Sequence, residues 1–456
     1  MSTLLLRNAR LLVTMDGDRR KIPGGGLFVR DNVIQAVGAS RDLPETADRI
    51  IDATDMVVMP GLVNTHHHLY QTLTRALPAV ASAELFDWLR YLYPIWAQMD
   101  AEAVYHSALV GLAELLLSGC TTVSDHLYLV PNDARHDDEI RAAQELGVRF
   151  HPCRGSMSLG RSQGGLPPDS VVQTEDEIIA DCDRVVKLYH DPARYSMLRI
   201  VLAPCSPFSV TGESMRRSAE WARAHGLTLH THVAETKDEE IFCLKKFGHR
   251  PVEYMRTLDW VGPDVWYAHA VHLNADEIRL MAETGTGVAH CPSSNMRLGS
   301  GIAPIREMLD AGVKVGLAVD GSASNDSSHM FAEARMALLL QRVTKGANAL
   351  ATDEALEMAT LGGAAVLGRD DIGALAPGMA ADFVGVNLDR LEYAGAACHD
   401  PVGCLVMCTP PNVDLSVING RVVVEKGQIP GLDVERLIAR QNELALEMVR
   451  RGTQAS

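Results

Sequence analysis

The sequence predicts an α/β protein, a (β/α)8 TIM-like barrel with a small β-sandwich domain built from both chain ends. Three observations lead there. Short strand-like runs crowd residues 1–58 without a helix of useful length, strand-like and helical stretches then alternate through residues 59–370, and strands return within 371–456. Repeated β-then-α units over about 300 residues are the pattern of a parallel barrel. A doubly wound open sheet is the rival, but no Gly-x-Gly-x-x-Gly follows any strand-like run, which removes its best signal. At 456 residues the chain exceeds one ordinary core, so two structural units are expected.

The first region reads as strands at 4–6, 11–14, 26–30 and 33–37 with a last one near Met56, and the pairs Asp16-Gly17 and Asp31-Asn32 serve as turns. That is a partial sandwich whose remaining strands must come from elsewhere. Barrel strands are expected at 57–63, 121–124, 149–153, 198–202, 228–232, 265–269, 287–290 and 315–319. Amphipathic helical segments lie between them, at 101–117, 176–188, 214–225 and 275–283. Strands resume at 383–386, 415–418 and 421–425, with Asn419-Gly420 between the last two as a hairpin turn. The terminal strand clusters are therefore expected to pair into one domain with the barrel inserted, and 434–450 reads as a closing helix.

Composition narrows the class of function. An apolar fraction of 47% and a charged fraction of 22% describe an ordinary globular protein. A formal charge of −16 opposes nucleic-acid or anionic-membrane partners, which reward clustered Lys and Arg; a small neutral substrate suits it better. The nine cysteines form no Cys-x-x-Cys pair, which argues against a disulfide framework and for a reducing, cytoplasmic setting. No segment has the length and apolarity of a membrane span, and the first seven residues meet a charge too soon for a signal peptide.

The chemistry concentrates after the apolar run 56–63, in Pro60-Gly61-Leu62-Val63-Asn64-Thr65-His66-His67-His68. Side chains alternate along a strand, so His66 and His68 share one face and His67 takes the other. Catalytic groups of such barrels sit at the C-terminal strand ends. Walking those ends adds His230-Thr231-His232-Val233-Ala234-Glu235, then Tyr267-Ala268-His269, then Val319-Asp320-Gly321. His66, His68, His232 and Asp320 make a nitrogen-rich donor set for one divalent metal, zinc or alternatively iron. A metal would lower the pKa of water from about 15.7 toward 7. Glu235 is placed to shuttle a proton, and His269 to bond the attacking water or the developing tetrahedral centre. A lone strand-end histidine is ordinarily a satisfied structural residue, and His230 is assigned that role; the agreement of four strand ends favours a metal site.

The pieces Pro60 to His68, His232-Val233-Ala234-Glu235, Ala268-His269 and Val319-Asp320-Gly321-Ser322-Ala323-Ser324-Asn325 resemble the amidohydrolase superfamily. They are most similar to its mononuclear aminohydrolase branch. The resemblance covers almost the whole chain, including Gly378-Met379-Ala380-Ala381-Asp382-Phe383 where the sandwich resumes. It implies hydrolytic deamination: Asp320 accepts the water proton, Glu235 protonates the ring nitrogen, and ammonia leaves. Binuclear members bridge two metals after the fourth strand, often with a lysine; residues 198–207 hold none. Cys205 is the one conceivable bridge there, and a buried structural thiol is its other reading.

For the substrate, Gln71 can both donate and accept, and so read the edge of a lactam base. Arg154 suits purine carbonyl oxygens, with a structural ion pair as its alternative. Trp88 can close an apolar wall over a flat ring or serve as core. The stretches His-His-His-Leu-Tyr-Gln, Phe-Asp-Trp-Leu and Arg-Gly-Ser-Met-Ser-Leu-Gly resemble those of the 8-oxoguanine deaminases, with hydroxytriazine aminohydrolases as near relatives. The same resemblance implies a homodimer or larger assembly. Some proteins of this fold are scaffolds that have lost metal ligands; here every ligand position is filled.

Overall fold

A computed structural model describes residues 2–454. Eight parallel strands form one sheet in strict chain order: Leu62–Asn64, Cys120–Leu127, Arg149–Ser156, Val201–Pro204, Thr228–Val233, Val265–His269, Gly287–His290 and Val315–Leu317. The first and eighth are drawn together by Thr65 N and Oγ1, which both donate to Leu317 O, at 3.1 and 3.0 Å. Helices follow the strands and cover the outside, among them Ala101–Leu117, Glu175–Tyr189, Gly212–Ala224 and Ala275–Thr284. The barrel interior is filled by small and β-branched residues such as Val63, Val201, Ala203 and Ala289 around Trp266, so it is a packed core and not a pore.

The remaining strands form a β domain of two sheets. One orders Val33–Ala39, Gly25–Arg30, Thr3–Ala9 and Arg49–Asp52; the other runs from Arg421–Glu425 through Leu415–Ile418, Phe383–Asn387, Met56–Pro60 and Leu11–Val13 to Lys21–Ile22. Met56–Pro60 pairs antiparallel with Phe383–Asn387 and parallel with Leu11–Val13, so both chain ends share a sheet. Asn419 and Gly420, both left-handed at φ 50° and 78°, turn the last hairpin, as the Asn-Gly pair predicts. A buried ion pair ties this domain to the barrel floor: Arg149 Nε and Nη2 donate to Asp382 at 2.7 and 3.0 Å.

Three sequence expectations need correction. The run 57–63 is not a single barrel strand but two strands in two sheets, broken at Gly61. A Cβ at Gly61 would lie 2.1 Å from Thr121 Oγ1, so only glycine passes there. Strands Lys21–Ile22 and Arg49–Asp52 were not anticipated; both are edge strands with few buried residues, so no strong apolar alternation marks them. The second barrel strand runs on to Leu127 instead of ending at Ser124, which places a further histidine at its end.

The closing helix Val434–Gln454 packs against Leu85–Trp96 and Ala101–Leu117. Gln441 Nε2 donates to Thr72 Oγ1 at 2.9 Å, and Arg440 holds Glu102 with two bonds of 2.8 Å. Leu444 and Met448 of the closing helix share an apolar cluster with Leu85, Trp88, Leu89 and Tyr93 of Leu85–Trp96, and these four residues line a cavity.

Candidate metal centre and active site

The barrel closure assembles the site. Asn64 Oδ1 accepts Val319 N at 3.0 Å, and Asp320 N donates to His66 O at 3.2 Å, so the first strand end and the last are fastened residue by residue. His66 Nε2 then lies 3.2 Å from Asp320 Oδ1, and His68 Nε2 3.4 Å from the same oxygen. On the opposite face His67 turns away to Ser328 Oγ at 3.0 Å. Strand-end backbone is strained here: Ala234, His269, Ala270 and Asp320 all have φ between 48° and 73°, a conformation that costs a non-glycine residue about 1 kcal/mol or more.

Hydrogen bonds set the imidazole tautomers. His68 Nδ1 donates to His126 O and His232 Nδ1 to Cys205 O, each at 2.7 Å. His230 Nδ1 donates to Trp266 O at 3.0 Å, so its Nε2 accepts from His66 Nδ1 at 2.7 Å. The Nε2 lone pairs of His66, His68 and His232 therefore converge with Asp320. His66 Nε2 finds no hydrogen-bond partner among the described residues, and His68 Nε2 lies 3.1 Å from His232 Nε2 with no proton between neutral rings. Tetrahedral nitrogen ligands about 2.0–2.1 Å from zinc stand roughly 3.3 Å apart. Burial holds all three ring pKa values below the usual histidine range. Burial opposes ionisation of Asp320, but His66 at 3.2 Å and the other imidazoles around it hold it well below the carboxylate range. Neutral nitrogen and ionised oxygen are the states metal binding requires, and the residues present fit a divalent ion.

Glu235 stands beside this centre. The register that pairs Val233 with His269 brings Glu235 Oε2 to 3.6 Å from His269 Nε2, which in turn lies 3.8 Å from Asp320 Oδ2. Burial pushes the Glu235 carboxyl up to about 7, the range of an efficient proton carrier at neutral pH. His269 is held by Nδ1 on Asn295 Oδ1 at 2.9 Å. Burial disfavours its cation, yet the facing carboxylates of Glu235 and Asp320 outweigh that and raise its pKa.

A narrow cavity lies above these groups. Its walls are apolar and aromatic, from Trp88, Tyr93, Tyr128, Phe208 and Leu298; Gln71 and Ser324 add polar edges. Residues 57–427 match the amidohydrolase family profile. This chain belongs to the amidohydrolase family. Within it, the chain is 48% identical over 452 residues to an 8-oxoguanine deaminase of Pseudomonas aeruginosa, covering 98% of this chain and 100% of that one. It is 40% identical to a hydroxydechloroatrazine ethylaminohydrolase of a Pseudomonas species, covering 95% and 93%. A zinc-complexed atrazine chlorohydrolase from Arthrobacter aurescens TC1 superposes with TM-score 0.92 at 34% identity, over 97% and 100%.

In this amidohydrolase the expected site residues divide. His66, His68, His232, Glu235, His269 and Asp320 come together, and Gln71 and Trp88 face the same cavity. Gln71 Oε1 accepts Ala323 N at 3.4 Å, and Trp88 Nε1 has no acceptor among the described residues. Arg154 does not join them. Its guanidinium is fully buried and held by Asp181 Oδ2 at 2.9 Å, Gly155 O at 2.6 Å and Gln173 Oε1 at 3.1 Å, so the structural ion pair is what the fold adopts. Cys205 lines the cavity, but burial pushes its thiol up to about 12, and its carbonyl rather than its sulfur serves the site.

Sequence reasoning missed His126 and Asn295. His126 packs its ring 5.0–5.8 Å from those of His66, His68, His230 and His232 and bonds Ala203 O at 2.7 Å. Reading the second strand to Leu127 would have exposed it. Asn295 lies on the short helix Pro292–Arg297, beyond the seventh strand Gly287–His290 and its own terminal histidine.

Proposed function

We propose that this chain is a metal-dependent deaminase of a purine-like heterocycle, with zinc as its metal and 8-oxoguanine as its substrate. The observation that carries the reading is the buried Glu235 carboxyl beside His269 and Asp320, at the edge of a three-histidine, one-aspartate donor set. A divalent ion held there supplies Lewis acidity and brings the pKa of water from about 15.7 toward 7.

The chain's own groups then carry the protons. Asp320 takes one proton from the water as its oxygen adds to the ring carbon bearing the amino group. Glu235 delivers a proton to the adjacent ring nitrogen and takes one back from the added hydroxyl, His269 steadies the oxygen at the tetrahedral carbon, and the proton held by Asp320 passes to the amino group, which departs as ammonia. For 8-oxoguanine the exchange of that amino group for the water oxygen gives urate. The aromatic walls suit a flat ring, and the donor groups of Gln71 and Trp88 suit ring carbonyl oxygens. The 8-oxoguanine deaminase at 48% identity supports this substrate.

Ammonia release from 8-oxoguanine by zinc-loaded protein, beside guanine, isocytosine, cytosine and hydroxyatrazine, tests the reading. Preference for 8-oxoguanine supports it. Release from another heterocycle alone keeps the chemistry and overturns the substrate, and silence across the panel with metal bound overturns deamination of these rings.

A further inference from the structure

The loop carrying Glu235 has an unusual anchor. Thr236 caps the helix Lys237–Phe247, accepting Glu239 N at 3.3 Å, and Glu239 occupies the third helical position. A glutamate there ordinarily reaches back to the amide of the capping residue itself. Glu239 instead reaches further. Its Oε1 accepts Ala234 N and its Oε2 accepts Glu235 N, both at 2.8 Å. The side chain is fully buried, where a carboxyl is costly to keep.

The loop needs such an anchor. Ala234 is left-handed at φ 57°, and the strand hydrogen bonding to the fourth barrel strand has ended below it. Ala234 O accepts Val271 N and His272 N, both at 2.9 Å, so the carbonyl side of the turn is tied to the loop after His269. Among the described residues, the two amides on the other side are tied to Glu239. We infer that Glu239 is a positioning residue for the proton carrier: its two oxygens clamp the amides of Ala234 and Glu235 and so set the Glu235 carboxyl against His269. The inference rests on the proton-carrier reading of Glu235 given above.

A carboxyl offers an acceptor on both oxygens, whereas a carboxamide offers one acceptor and one donor. Glu239→Gln therefore loses one clamp bond and sets N–H against N–H in a buried place. Four proteins test the idea: wild type, Glu239→Gln, Glu235→Gln and the double variant, each assayed for kcat, KM, bound metal and crystal structure. Glu239→Gln is expected to keep its metal and KM, to lower kcat at least tenfold, and to move the Glu235 carboxyl away from His269 Nε2. In the Glu235→Gln background the same change should cost less than twofold, because a residue acting only through Glu235 has nothing left to position. An equal loss in both backgrounds, or an unmoved Glu235 carboxyl in the crystal, overturns the inference. Full activity in Glu235→Gln would instead overturn the proton-carrier reading, and the crystal comparison would still decide whether Glu239 holds the loop. Should Glu239→Gln fail to fold, Glu239→Asp keeps two acceptors on a stem one methylene shorter and makes the same comparison.

Discussion

His68 Nε2 and His232 Nε2 stand 3.1 Å apart while the other nitrogen of each ring donates to a backbone carbonyl. Two lone pairs at that separation repel unless a cation lies between them, and with His66 and Asp320 they form a closed donor set. His232→Ala is therefore expected to empty the centre. Metal per chain, measured by elemental analysis after dialysis, should fall from near one to near zero. Turnover should fall by more than the roughly 10–100-fold that losing a ligand's outer partner costs.

Glu235→Gln keeps the shape of the side chain and removes its proton. Metal content should stay at the wild-type value, since Glu235 is not among the donors. The rate should drop by about 10²–10⁴-fold, the usual worth of a positioned acid–base group. Unchanged turnover would remove Glu235 from the chemistry.

Arg154 belongs to the scaffold, and its replacement should show that. Arg154→Met leaves Asp181 with Arg184 alone and Gln173 without its donor, a change on the order of 2 kcal/mol for a lost hydrogen bond to a charged group. The melting temperature should fall while KM for the preferred heterocycle stays within about twofold of wild type. A large rise in KM at unchanged stability would return Arg154 to the substrate site.

His136 makes stability depend on acid. Its Nε2 donates to Leu127 O at 2.9 Å, and its Nδ1 is buried with no hydrogen-bond partner among the described residues. Burial first, and then the nearby Arg154 cation, push its pKa down to about 4, below the ordinary value of about 6.5. The unfolded chain thus takes up the proton first as pH falls. The contribution is complete above about pH 6.5 and is lost progressively between there and about 4, amounting to about 3 kcal/mol. His136→Gln keeps a donor in place of Nε2–H and does not titrate. Denaturant unfolding across pH 4–7 should therefore be flatter in the variant, and an identical slope would rule His136 out.

Local signals carried much of this molecule. Strand ends repeated around a barrel, each bearing His66 and His68, His232, His269 or Asp320, are visible as apolar runs followed by polar residues. A strand's alternation alone separates His67 from its neighbours, because the pleat has a period of two. The Asn419-Gly420 turn is legible for the same reason, since its conformation is a property of those two residues.

What the tertiary structure decided is everything that depends on partners distant in the chain. Gly61 divides one apolar run between two sheets only because Thr121 stands against it. Arg154 could have faced a purine or a carboxylate, and the choice fell to Asp181 on a later helix. Glu239 reads in sequence as an ordinary first-turn glutamate, and only the fold brings its oxygens to the Glu235 loop. The tautomers of His68, His230 and His232 were likewise unreadable, because the carbonyls that set them belong to other parts of the barrel. Periodicity and turn chemistry are encoded within a few residues, whereas the satisfaction of a buried polar group is settled by whatever the closed barrel places beside it.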